Sequence, residues 1–175
     1  MGIRNFDLDI LKDIMSKNNL SFNGLKMLQL GDQVYRDKKI RAKEYFESLG
    51  SSVVSIDING QGGSLPIDLS VAIDEPNYKD NFDIITNFGT SEHVSDHFMC
   101  FENMYSFCKK NGIIYNLVPR KGFWNNKSHK DAHKYDTEFF VEWSEKHNCD
   151  ILINRIVPKK ERFCDDMILA ILKKR

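Results

Sequence analysis

No excess of either charge marks the chain. Lys and Arg total 25 and Asp and Glu total 25, so no overall field draws it to a phosphate backbone or an acidic membrane, which argues against nucleic acid as a partner. The basic clusters, Lys159-Lys160 and Lys173-Lys174-Arg175, are short and loop-like or terminal, where a solvated surface is the expectation. No apolar run approaches the ~20 residues that cross a bilayer. MGIRNFDLDI also lacks a basic region followed by an apolar stretch, so neither a membrane span nor a signal peptide is predicted. Phe6 stands where the myristoylation pattern that begins at Gly2 wants Ser or Thr. The cysteines at 100, 108, 149 and 164 form no CxxC pair and suit neither a zinc site nor a compact disulfide framework. They are expected to be reduced core thiols in a cytoplasmic protein. No repeat, low-complexity tract or linker-like stretch divides the 175 residues, so one domain over 1–175 is expected.

What is present is an alternation of elements. Apolar spacing predicts a helix over 7–18, followed by the turn cluster SFNG. LKMLQLG reads as a strand running into Gly31, and a helix over 37–49 is predicted from Ile40, Ala42, Tyr45, Phe46 and Leu49, with Gly50 as its stop. The β-branched SSVVSIDI is a strand ending at Asp57, SLPIDL a short extended piece, and 70–78 a short helix. FDIITN is the next strand, and a helix over 94–110 is expected to turn Phe98, Phe101, Met104, Tyr105 and Cys108 inward. NGIIYNLVP is a strand, 119–135 a long loop suited to a lid, and 136–147 a helix; CDILINRIV and DDMILAILKK are the last strands.

Strands that alternate with helices need crossover connections and cover on both faces, which gives a doubly wound, mostly parallel α/β sheet. The last two strands are joined only by PKKERFC, too short for a parallel crossover, so the final strand should run antiparallel. Ligands in such sheets bind beyond the carboxyl ends of the strands. Gly31 to Tyr35, Asp57 to Asn59, Asp68, Asn87 to His93 and Pro119 onward all follow strand ends and should gather on one rim.

In that order the segments resemble the class I S-adenosylmethionine-dependent methyltransferases, from about Leu25 to Arg175. LQLG matches the start of the family's glycine loop, SIDI with Asp57 the acidic position that holds the ribose hydroxyls, and LPIDL with Asp68 the adenine contact. FDIITNFGTSEHV is similar to the fourth-strand motif and NGIIYNLVP to the fifth strand. The resemblance implies a Rossmann-like sheet of order 3-2-1-4-5-7-6 with the last strand antiparallel, and S-adenosyl-L-methionine as cofactor. It places cofactor contacts at Gly31, Asp32, Gln33, Asp57, Ile58, Asp68, Leu69, Asn87, Phe88 and Gly89. For Asp68, capping of the following helix is an equal alternative.

The chain also departs from the family pattern. Gln29-Leu30-Gly31-Asp32-Gln33-Val34-Tyr35 lacks two of the usual three glycines, has Gln29 where an acid is common, and adds bulk at Tyr35. Asn87-Phe88-Gly89-Thr90 lacks the two prolines of base-methylating relatives, which argues against a nucleic-acid base as substrate. Glu92-His93-Val94 is similar to the ending found in some quinone-pathway O-methyltransferases, where the acid can help bind a metal; no further ligands are visible, and no metal is assigned. His93, with Glu92, is the candidate catalytic base, since an imidazole titrates near neutral pH; the alternative is that it packs beneath the cofactor.

Trp124, His133 and Tyr135 are candidates to cover a small substrate, against an alternative in which the rings anchor the loop and the histidines face water. His129 and His133 miss the HExxH zinc pattern at Lys130. The expected function is methyl transfer to an O- or N-nucleophile of a small molecule. Two alternatives stand beside it: a catalytically silent S-adenosylmethionine-binding module or partner subunit, and an NAD-dependent enzyme, which the missing GxGxxG disfavours. Nothing in the sequence indicates an oligomeric state.

Overall fold

A computed structural model of the chain describes residues 2–122, 132–162 and 166–175. After a two-residue strand, β1 (Gly2–Ile3), helix α1 (Asn5–Lys17) buries Leu8, Leu11, Ile14 and Met15 along one stripe. Its first turn is closed by Asp7, whose carboxylate accepts from the Arg4 amide at 2.9 Å. The main sheet is built from β2 (Lys26–Leu30), β5 (Ser52–Ile56), β6 (Phe82–Phe88), β7 (Cys108–Pro119), β8 (Cys149–Val157) and β9 (Met167–Lys174). Its order is β5-β2-β6-β7-β9-β8. The first four are parallel to one another, and β9 is antiparallel to both β7 and β8, as the short 158–166 connection requires. That connection carries one turn of helix, α5 (Lys159–Arg162).

Successive side chains of each strand go to opposite faces. Met27, Ile84, Ile113 and Ile171 pack with α1 and with α2 (Ala42–Ser48), whose Tyr45 and Phe46 reach the same cluster. Leu28, Ile85, Ile114 and Leu172 pack on the other side with Phe101, Met104 and Phe107 of α3 (His97–Phe107) and Phe140 and Trp143 of α4 (Thr137–Lys146). Each fully buried large side chain contributes roughly 1.5 to 3 kcal/mol, so both layers hold the sheet. Cys100, Cys108 and Cys149 are free and buried, and burial pushes the Cys100 thiol up to about 12. Cys164 lies outside the described residues.

Four sequence expectations need correction. The helix expected over 37–49 is only α2, because 34–41 form a hairpin of β3 (Val34–Tyr35) and β4 (Ile40–Arg41), with β3 also pairing in parallel with β1. Lys39 takes a positive φ of 56° in that turn, and the distant Gly2–Ile3 supplies the partner that local spacing cannot reveal. No helix forms over 70–78. Asn103 of α3 instead takes up the backbone there, donating to the carbonyls of Leu69 (3.2 Å) and Val71 (2.8 Å) and accepting from the Ile73 amide (3.1 Å).

Helix α3 is also shorter than 94–110. Asp96 caps it by accepting from Met99 at 2.9 Å, and the chain is already extended at Cys108. Phe98 faces outward with 57% of its surface exposed, while Cys100 and Asn103 face inward. Finally, the strand expected third in the family order is reduced to one bridge, Leu65 to Ile56, so the sheet has six strands among the described residues.

Candidate active site

The carboxyl ends of β2, β5 and β6 open on a cleft of about 450 Å³. Gly31 follows β2 with φ at 78°, and a Cβ there would lie 2.5 Å from the Thr90 hydroxyl oxygen and 2.8 Å from the Gln33 amide nitrogen. Glycine is therefore required on two counts, backbone conformation and close approach. Thr90 donates to the Leu30 carbonyl (2.9 Å) and accepts from Gln33 (3.1 Å), so the glycine turn is stitched to the loop after β6. Asp57 completes the loop: one carboxylate oxygen accepts from the Asp32 amide (2.9 Å) and the other from Asn59 (3.2 Å). Asp32 pairs with Arg41 of β4.

The cleft is lined by eight of the ten residues expected to contact a cofactor: Gly31, Asp32, Gln33, Asp57, Ile58, Asp68, Leu69 and Gly89. Asn87 and Phe88 do not line it. Asn87 is fully buried, donating to Ser91 Oγ (2.8 Å) and Asn116 (3.1 Å) and accepting from the amides of Thr90 and Ser91, so it shapes the turn from below. Phe88 packs on Tyr115 in the core, ring centroids 4.9 Å apart. Their exclusion follows from the depth of β6, which is covered on both faces up to its last residue. Asp68 accepts from the Ser70 amide at 2.8 Å, and bonds to Ser70 hold its carboxyl below the usual range. It closes a turn at the cleft wall where a helix cap had been the alternative.

The irregular glycine loop has a physical account. Gln29 is buried and does not line the cleft; its amide donates to the Gly31 carbonyl (2.9 Å) and Ser55 Oγ (3.3 Å), holding the turn from inside. Tyr35 does not plug the opening. Its ring lies on Tyr45, centroids 4.7 Å apart, its hydroxyl donates to Asn5, and only 4% of it is exposed. Because the β3–β4 hairpin intervenes, no helix begins behind Gly31, and the amides facing the cleft belong to loops and not to a helix N-terminus.

On the far rim, His93 lines the cleft with 46% of its side chain exposed, and its Nε2 lies 3.9 Å from Glu92 Oε1. Glu92 is buried to 1% exposure, and neither carboxyl oxygen has a hydrogen-bond partner among the described residues. Burial pushes its carboxyl up to about 7. The backbone carbonyl of Glu92 accepts from the His133 amide at 2.8 Å, and the Tyr135 hydroxyl donates to Ser91 Oγ at 3.1 Å, so 133–135 are fastened beneath the 91–93 turn. Tyr135 is fully buried and serves as an anchor, with burial raising its hydroxyl above the ordinary value. His133 is half-buried beside Ser95. Trp124 and His129 lie outside the described residues, among which no group of three or more metal-ligating side chains occurs.

Further lining comes from Ile56, Ile67, Thr90, Val94 and Ser95, none of which was assigned a role from the sequence. Thr90, Val94 and Ser95 fall inside or beside the FGTSEHV stretch and were within reach of it. Arg41 carried no signal, since its place depends on the β4 turn.

No family model matches the chain, and no curated protein matches it. Solved structures do. One is the 1,6-didemethyltoxoflavin-N1-methyltransferase of Burkholderia thailandensis with bound 1,6-didemethyltoxoflavin and S-adenosylhomocysteine, 14% identical over 95% of this chain and 76% of that one, TM-score 0.66. A SAM-dependent methyltransferase from Aquifex aeolicus is 13% identical over 91% and 88%, TM-score 0.59. The [4+2]-cyclase SpnF is 12% identical over 95% and 80%, TM-score 0.63. The strand order, the antiparallel β9 and these likenesses together assign the chain the fold of the class I S-adenosylmethionine-dependent methyltransferases.

Proposed function

We propose that the chain is an S-adenosyl-L-methionine-dependent methyltransferase for a small molecule with an O- or N-nucleophile. The observation that carries this is the charge of the cleft. Asp32, Asp57 and Asp68 line it, and among the described residues no Lys or Arg does. Arg41 offsets Asp32 alone. Such a cleft attracts a ligand carrying a sulfonium and an ammonium and disfavours a dinucleotide with its diphosphate, which supports this reading over the NAD alternative.

The residues fit the group. Each Asp57 oxygen, already accepting one amide, keeps a lone pair for a ribose hydroxyl. Asp68 is placed for an exocyclic amine, and Ile58, Ile67 and Leu69 supply apolar walls for a flat base. Gly31 and Gly89 leave backbone open to the amino-acid end. When bound, the cofactor supplies a methyl carbon on a sulfonium, and the C–S electron pair returns to sulfur as the bond to the acceptor forms.

The chain then has two tasks, alignment and proton removal. His93 takes the acceptor's proton at the cleft rim. Glu92, 3.9 Å behind it, acts through His93 as a positioning residue, its carboxylate stabilising the imidazolium above about pH 7. The test is calorimetry with S-adenosylhomocysteine and NAD, followed by a screen for S-adenosylhomocysteine release with small-molecule acceptors. Binding of the first ligand and not the second is expected; tight NAD binding, or no binding of S-adenosylhomocysteine, would overturn the proposal.

A further inference from the structure

Beyond the cleft mouth, three rings form a ladder. Phe139 of α4 and His97 of α3 are near parallel, 27° apart with centroids at 5.8 Å, and His97 stacks on His133 at 4.1 Å and 21°. The ladder does not itself line the cleft. Its outer ring, His133, is half-buried, with Nε2 3.3 Å from the carbonyl of Ser95, and Ser95 lines the cleft together with His93 and Val94.

Two imidazoliums cannot stack at this distance without strong repulsion, so at least one ring is neutral. Burial, and then the proximity of His133, hold His97 below its ordinary value, which agrees with a neutral inner ring. The pair offers a flat π surface, fixed in position. The His133 amide is held by Glu92 at 2.8 Å, and the next anchor, Tyr135, is buried. A rigid aromatic face beside a proton acceptor recognises a particular shape of ligand: rings stack offset on rings, and a saturated molecule gains no such contact.

From this we infer that the methyl acceptor is a planar aromatic or heteroaromatic compound carrying an ionisable O–H or N–H, its ring laid on the His97–His133 stack and that group directed at His93. The inference rests on the methyl-transfer proposal and adds the substrate class to it. Its proton balance is simple: the acceptor's O–H or N–H bond breaks, the proton goes to His93, and the freed pair forms the bond to the methyl carbon.

The test is a calorimetric titration of the S-adenosylhomocysteine-saturated protein with naphthol and with decahydronaphthol, which share size and hydroxyl and differ in flatness. Naphthol should bind about fivefold tighter, the scale of one ring–ring contact. His133→Ala should erase that preference while S-adenosylhomocysteine affinity stays the same. His133→Phe, which keeps a ring but loses the bond to Ser95, should restore it. Equal affinities for the two probes in the loaded wild-type protein, or a preference that survives in His133→Ala, would overturn the substrate class alone. Failure of S-adenosylhomocysteine to bind at all would overturn both the class and the methyl-transfer proposal beneath it.

Discussion

On the β2–β5 side of the cleft, the loops are held by partly exposed carboxylates and amides, with Asp57 accepting from Asp32 and Asn59 and Asp68 accepting from Ser70. On the β6–β7 side the corresponding turn rests on a fully buried neutral network, Asn87, Asn116, Ser91 and Tyr135. The first kind of bond can be shared with or exchanged for a ligand, because water already competes for it. The second cannot be exchanged, because any group left without a partner there is stranded away from solvent. Ligand affinity should therefore depend chiefly on the first rim and stability on the second. Glu92 is the exception: an ionisable group set among the neutral ones without a hydrogen-bond partner for its carboxyl among the described residues, as functional sites often require.

The largest effect should come from Asn87→Ala. It removes four hydrogen bonds and strands the Thr90 and Ser91 amides, a loss of about 4 kcal/mol by urea denaturation. A loss under 1 kcal/mol would dissolve the distinction between the rims.

Glu92→Gln comes next, and its sign is fixed by the raised carboxyl. Between the usual 4.5 of the unfolded chain and about 7, the folded protein holds a proton that the unfolded chain has released. Wild-type stability contributed by this group is therefore full below about pH 4.5, falls as pH rises through that window, and is lowest above 7. The variant should match wild type at pH 4 and exceed it by about 3 kcal/mol at pH 8 in parallel denaturation curves. Identical pH dependence would mean that Glu92 finds a partner.

Gly31→Ala imposes a positive φ and the 2.5 Å approach to Thr90, and should cost about 2 kcal/mol while also weakening S-adenosylhomocysteine binding. It sharpens the comparison because it is the point at which the two rims are joined. The smallest expected effect is that of Asp57→Ala, about tenfold in S-adenosylmethionine affinity, or ~1.4 kcal/mol, with stability changed by less than that. An Asp57 variant that binds normally but unfolds easily would reverse the assignment of the first rim.

How much of this was legible in the sequence differs between the rims for the same reason. Gly31 and Asp57 follow strand ends directly and Asp68 comes shortly after the Leu65 bridge, and period and turn residues suffice to bring such positions together. Asn87 and Phe88 follow the same rule in sequence, yet they end inside, because the covering of β6 is set by α3 and β7, which are distant in the chain. The β3–β4 hairpin was missed because its partner strand is Gly2–Ile3, and the loop over 70–78 because a single buried Asn103, thirty residues on, satisfies its backbone. Local pattern carries the layers of the sheet; long-range pairing carries the details that decide which side chains meet a ligand.

The reduced third strand has a consequence for the outer wall. In a seven-stranded sheet the outer wall of this cleft would be sewn into the ladder, but here 58–73 is held by the Leu65 bridge, the Ser64–Ser55 hydroxyl bond at 2.8 Å, the side chain of Asn103 and the packing of Ile67, Leu69 and Ile73. A change of residue in that wall therefore leaves every strand pair of the sheet zipped.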